Sequence, residues 1–358
     1  MKIAIDARLT AYREGGIAEY MRRLIEHIPE LWAIQHRRKP RTDRDRQYYA
    51  FTPPHHRLER IALGVELLPL RLDLLHAADF IPPLFGAKHF VITVHDLNFL
   101  HYPQFQTPDS LRYYAGQIKA ATEQAAQIMA DSEATKIDLC NMLGVPAEKI
   151  TVHMLGVDPM YHPLPADQVQ PVLDRLKLPR GYILFVGTFE PRKNLPGLLT
   201  AYRHLRDELP DAPPLVIVGR RGWLYEDIFR NVSELGLDAQ VRWLEDAAFA
   251  DMPALYNGAA VLTLPSHYEG FGFPPLEAMA CGVPTVVSDR GSLPEVVADT
   301  GLMIDPDDSA ALTAALRRAL TDSAFRDRSS AAGLQRSSQF TWQHTAQIAR
   351  EVYHKVLA

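Results

Sequence analysis

Cysteine is nearly absent from these 358 residues: Cys140 and Cys281 stand alone and far apart. That excludes a disulfide framework and a thiolate zinc site, and it fits a reducing, cytoplasmic compartment. Positive charge is not in excess either, since 38 Lys+Arg face 43 Asp+Glu for a formal net charge of −5. Nucleic-acid binding, which calls for a basic face, is not expected. No uncharged run of about 18 apolar residues occurs, so no membrane-spanning helix is expected. The opening Met1-Lys2-Ile3-Ala4-Ile5-Asp6 carries charge inside its apolar run and reads as a strand, not a signal peptide. A G-x-G-x-x-G fingerprint is lacking, which leaves a nicotinamide cofactor unsupported.

What is present is a long alternation of apolar strand-like runs and helical patterns, the signal of parallel sheets with crossover helices. In the first half the strand candidates are residues 2–6, 48–52, 72–76, 90–94, 127–130 and 150–153. In the second they are residues 182–186, 215–218, 241–244, 260–264, 284–287 and 302–304. Most lack polar alternation, as strands covered on both faces do. The fold class is α/β, as two doubly wound domains rather than one oversized sheet. Residues 158–179 hold Pro159, Pro163, Pro165, Pro171 and Pro179 and read as the linker. The expected domains are 1–165 and 166–341. Residues 343–357 carry a helical stripe at Ile348, Val352, Tyr353 and Val356.

The most informative segment runs from Glu269 through Gly270, Phe271, Gly272, Phe273, Pro274 and Pro275 to Glu277. Two carboxylates eight positions apart flank a glycine loop, with the second where a helix is expected to begin. A glycine loop feeding a helix start gathers unpaired N–H groups and a positive dipole end, which suits a phosphate. Carboxylates beside it can accept from sugar hydroxyls. The combination suggests a ligand with a phosphate end and a sugar end.

Other candidates follow strand ends, where open α/β sheets bind ligands. Gly15 and Gly16 precede the first helix and permit close backbone approach. His95 ends the buried run 90–94, followed by aromatics at Phe99, Tyr102, Phe105, Tyr113 and Tyr114. Gly187 and Thr188 end another run, and Arg192 and Lys193 follow as a fork and a point charge suited to a leaving diphosphate. Gly219 and its arginine neighbours repeat the idea after the next strand. Residues 36–47 carry six Lys/Arg against two Asp, a local +4. That loop is either a solvated surface or a patch for an anionic membrane or a phosphate-bearing acceptor. Asp43-Arg44-Asp45 is too short a pattern to assign a metal, and none is assigned.

Together these segments resemble the retaining, nucleotide-sugar-dependent glycosyltransferases of family 4 (group 1) with the GT-B fold. The resemblance is most specific from Leu264-Pro265-Ser266 through Glu277-Ala278-Met279-Ala280-Cys281-Gly282-Val283-Pro284 to Gly291-Ser292-Leu293-Pro294-Glu295. It implies two Rossmann-like domains facing across a cleft that closes, with helix 342–358 packing back on the first. It also implies that Glu269 lies against the donor sugar and that Glu277 holds the ribose hydroxyls. Phe271 and Gly272 would offer amides, with Gly16 at the diphosphate and His95 at the transferred sugar and the acceptor. Lys193 matches the phosphate-binding lysine. One departure is Thr188, where the family often has arginine; Arg192 is the candidate replacement. The donor set is completed by Gly15, Gly187, Gly219, Gly270, Phe273 and backbone near Leu244. GDP-mannose is favoured over UDP-glucose as donor, with no metal or cofactor. The acceptor is a glycan or a lipid-linked glycan, and peripheral contact with the cytoplasmic membrane face is entertained. A sugar phosphorylase and a non-catalytic nucleotide-sugar sensor are the alternatives.

Overall fold

The computed structural model describes every residue except 13, 14, 41–43, 224 and 246. The chain forms two compact units, Met1–Gly156 with Thr341–Ala358, and Val157–Phe340. The first is built on strands β1 (Ile3–Asp6), β2 (Trp32–His36), β3 (Gln47–Ala50), β4 (Leu72–Ala77), β5 (Ala87–Val94), β6 (Gln127–Ala130) and β7 (Ile150–Val152), in the order β3-β2-β1-β4-β5-β6-β7. The second is built on β8 (Tyr182–Val186), β9 (Leu215–Val218), β10 (Val241–Leu244), β11 (Ala259–Leu264), β12 (Thr285–Ser288) and β13 (Leu302–Ile304), in the order β10-β9-β8-β11-β12-β13. Every described pairing is parallel. Strand order reverses between β1 and β4 in one sheet and between β8 and β11 in the other. Those reversals open crevices at the carboxyl strand ends.

β2 is the strand that the apolar pattern misses. Its Gln35 and His36 interrupt the apolar signal yet are buried. Thr10 bonds to Gln35 and Tyr12 to His36, which makes their burial tolerable.

The proline-rich stretch is not a linker. Residues Ala166–Leu176 form a helix with Pro171 inside it, and Val169 and Leu173 are buried on one face. Tyr161, ahead of that helix, joins the same core as Tyr182 and Tyr256. The junction falls at Gly156/Val157 rather than at 165/166. The last helix, Trp342–Leu357, packs in the first unit through Trp342, Thr345, Ala346, Ala349, Val352 and Tyr353. Its stripe is thus partly made of small residues, while Ile348 and Val356 are only half-buried.

Two cations of loop 36–47 are structural. Arg44 donates to the carbonyls of Ile25, Pro29 and Leu31, and Arg46 donates to that of Glu30. These are the carbonyls at the end of helix Gly16–His27 and just beyond it, where a cation also meets the negative dipole end. Arg41 and Asp43 lie outside the described residues.

Candidate active site

The second sheet brings the Arg192-Lys193 loop and the Glu269 loop together at its strand reversal. Lys193 follows β8 and Glu269 follows β11, which are neighbours in the sheet. Lys193 Nζ lies 2.6 Å from Glu269 Oε1, and Arg192 Nη1 lies 2.9 Å from Oε2. Arg192 also reaches Glu190 at 2.5 Å and the carbonyl of Tyr268. Glu269 and Lys193 are buried. Burial alone would raise the Glu269 carboxyl, but Arg192 and Lys193 override it and hold it at about 2. At neutral pH this group is a fixed anion and has no proton to donate. Thr188 is exposed and lies four residues before Arg192, so the two loop cations act together on one carboxylate.

The loop around Glu269 is held from behind. Ser292 donates through its hydroxyl to the carbonyls of Glu269 and Phe271, and through its N–H to Glu269. Gly291 precedes it at φ +57°, and a Cβ there would stand 2.4 Å from the Glu269 carbonyl oxygen. Gly291→Ala is therefore expected to cost at least about 1–3 kcal/mol from backbone strain alone. The fall in the second unit's unfolding midpoint measures it; an unchanged midpoint would refute this packing account.

The helix after this loop is Phe273–Ala280, with Gly272 as its N-cap. It starts before Pro275, so Glu277 sits more than one turn inside it rather than at its beginning. Tyr256 donates to Glu277 at 2.5 Å, and Tyr161 adds a second hydroxyl contact. Phe271 is buried edge-on to Phe273 and Phe340, and Gly270 is buried beside it. Gly187 donates its N–H to Val218, and Gly219 donates to the Leu244 carbonyl. A Cβ on Gly219 would stand 1.9 Å from the Gly187 carbonyl oxygen, so these two strand ends meet backbone to backbone.

In the first unit, Gly15 caps the helix that begins at Gly16, at the carboxyl end of β1. A Cβ on Gly15 would meet nothing within 4 Å. His95 follows β5 and is clamped: Nδ1 lies 2.7 Å from Asp131 Oδ2 and Nε2 lies 2.8 Å from the Ala78 carbonyl. A neutral imidazole donates from one nitrogen only, so two acceptors call for the cation. Burial opposes that charge, but Asp131 outweighs it and raises His95 to about 9. Behind it, buried His76 bonds to Thr93 and Tyr353, and burial drives it down to about 3. His153 Nε2 stands 3.5 Å from the other oxygen of Asp131.

Asp131 escapes notice in the sequence; its one signal is its position directly after a buried strand. Glu190 escapes notice as well. The aromatics divide: Phe80, Phe99 and Tyr114 pack on one another, while Tyr113 donates to Glu59. Among the described residues no group of three or more His, Cys, Asp or Glu is placed to hold a metal ion.

Two parallel sheets, each with a charged or glycine-lined crevice at its strand reversal, define the GT-B class of sugar transferases. Residues 174–336 match the family described as Glycosyl transferases group 1, and residues 14–161 match Glycosyltransferase Family 4. The chain belongs to family 4 of the glycosyltransferases. It is 36% identical over 255 residues to the O-antigen chain mannosyltransferase B of Escherichia coli, covering 71% of this chain and 67% of that protein. A serotype-specific mannosyltransferase of Escherichia coli is 32% identical over 256 residues, but the chain spans only 31% of its length. The fold is similar to sucrose-phosphate synthase from Thermosynechococcus elongatus (TM-score 0.80, 21% identity, 99% and 98% of the chains). It is equally similar to Anabaena HepE in complex with UDP and glucose (TM-score 0.80, 19% identity, 99% and 100%).

Proposed function

We propose that this glycosyltransferase moves mannose from GDP-mannose, with retention of configuration, to a glycan or lipid-linked glycan in surface-polysaccharide synthesis. The carrying observation is the buried Lys193–Glu269–Arg192 cluster at the strand reversal of the second sheet. Breaking the bond from sugar to diphosphate builds positive charge on the sugar ring and negative charge on the leaving phosphate. Lys193 and Arg192 take the leaving charge. Glu269, ionised and acceptor-only, positions the sugar and faces its developing charge. Glu277 holds the ribose, with Tyr256 fixing one of its oxygens. No metal is needed, because protein cations and helix N–H groups neutralise the diphosphate. His95 is assigned to the acceptor side as a fixed cation, and the enzyme contacts the cytoplasmic membrane face peripherally.

The mannose assignment leans on the named activity of the relatives and on no base contact. A thermal-shift comparison of GDP, UDP and ADP tests it. At a concentration of 100 Kd the preferred nucleotide stabilises by about 2.7 kcal/mol. A larger shift with UDP than with GDP removes mannose from the proposal and leaves the transferase.

A further inference from the structure

The helix Glu59–Leu67 turns an unusual face outward. Leu58, Ile61, Val65 and Leu68, spaced by three, four and three, form one stripe along it. They are 61%, 50%, 55% and 54% exposed, although each is a large aliphatic side chain. Leu84 and Phe85 widen the ridge at 50% and 37% exposure. Leu84 is tied to it through its N–H on the Arg60 carbonyl, and the Phe85 ring lies where a Cβ on Gly64 would stand. Contiguous exposed apolar surface marks an interaction site.

Charge names the partner. The remaining exposed residues of segment 56–71 are His56, Arg57, Pro69 and Arg71, with no carboxylate among them. The two glutamates of the helix point elsewhere. Glu59 is buried against Arg8, and Glu66 accepts from the N–H groups of Phe51 and Thr52. Within this segment a chain of net charge −5 thus exposes aliphatic side chains and cations without a carboxylate. The stripe is one helix wide, roughly 15 Å by 10 Å. That is far below the roughly 800 Å² per partner of a stable dimer. It matches an amphipathic helix lying in the headgroup layer, aliphatics down and arginines at the phosphates. The same edge opens into a groove of about 890 Å³ lined by Arg57, Leu58, Ile61, Leu84 and Arg112, with exposed Asp109 paired to Arg112 there.

We infer that this face, centred on Ile61 and Val65 and flanked by Arg57 and Arg71, docks the enzyme on an anionic lipid bilayer. The inference rests on the peripheral membrane contact proposed above and names the surface that makes it. Arg8, bound to both Asp6 and Glu59, fixes the helix to the end of β1, so the docking face is rigid relative to the sheet.

The test is co-sedimentation of the full chain with phosphatidylcholine vesicles, with and without about one-third phosphatidylglycerol. Wild type is expected to bind the anionic vesicles and to be released by salt. Ile61→Asp and Val65→Asp are each expected to weaken partitioning about tenfold or more, the scale of burying one branched aliphatic side chain. Arg57→Glu and Arg71→Glu should each weaken it about fivefold, on anionic vesicles only. All four positions are exposed, and GDP-induced thermal shifts are expected to stay at the wild-type value, which reports the fold and the donor site independently. If wild type ignores anionic vesicles, membrane contact itself falls while the transferase reading stands. If wild type binds and the four variants bind equally well, only this surface falls. Conversion of a dimer to a monomer by Ile61→Asp, with vesicle binding unchanged, assigns the face to self-association and overturns the proposal.

Discussion

Lys193→Ala is expected to lower sugar transfer by about 100- to 1,000-fold, the scale for removing one donor aimed at charge that develops in the transition state. The ammonium is fixed by Glu269 before any donor arrives, so no reorganisation precedes reaction. Glu269→Gln keeps the volume and one acceptor oxygen but removes the anion, and it should lower turnover by a similar factor. Its second effect is on stability. The Glu269 carboxyl is held at about 2 against an ordinary 4.5, so its contribution is present above pH 4.5 and lost as pH falls towards 2. The Gln variant should therefore be less stable than wild type at pH 7 and converge with it near pH 2–3. Glu269→Ala is the poorer probe, since it leaves two confined cations with no acceptor oxygen at all at that position. Near-normal transfer by both Lys193→Ala and Glu269→Gln, in folded protein, removes this cluster from the mechanism.

Asp131→Asn is expected to destabilise the first unit strongly at pH 6 and much less at pH 9.5. His95 is raised to about 9 from an ordinary 6.5. The stability it gains from Asp131 is thus complete below pH 6.5 and disappears as pH rises through 9. About 2.5 pH units correspond to about 3 kcal/mol. The variant histidine becomes neutral, and the lost charge should move the alkaline limb of the transfer profile to lower pH as well. Urea unfolding of the first unit at both pH values measures the effect. Equal destabilisation at pH 6 and pH 9.5 would mean that Asp131 acts through packing and not through the His95 charge.

Much of this was legible in the chain because a parallel sheet buries both faces of its strands and leaves continuous apolar runs. Residues 182–186 and 215–218 coincide with β8 and β9 for that reason. β2 was not legible, because Gln35 and His36 are satisfied by Thr10 and Tyr12, partners that periodicity cannot supply. The prolines between 158 and 179 suggested a linker, yet Val169 and Leu173 four residues apart drive a helix into the second core, and Pro171 is tolerated within it. At the site, Lys193, Arg192 and Glu269 were nameable singly. That both cations would close on the two oxygens of one carboxylate is set by the β8–β11 adjacency, which only topology gives. Asp131 offered only its place after a buried strand, because its partner His95 lies 36 residues earlier.

The backbone contact between Gly219 and Gly187 carries a consequence for directed evolution. At 1.9 Å from a carbonyl oxygen, no side chain of any kind can be admitted at position 219 without parting β8 from β9. Position 291, against the Glu269 carbonyl, is closed in the same way. A saturation library sorted for wild-type stability, with no donor, acceptor or assay present, is expected to return glycine alone at these two places. The backbone-to-backbone contacts of the second sheet's strand ends would thus be mapped by what the chain refuses. On the donor site proposed above, altered donor choice would have to be sought at neighbouring side chains and not at these two glycines.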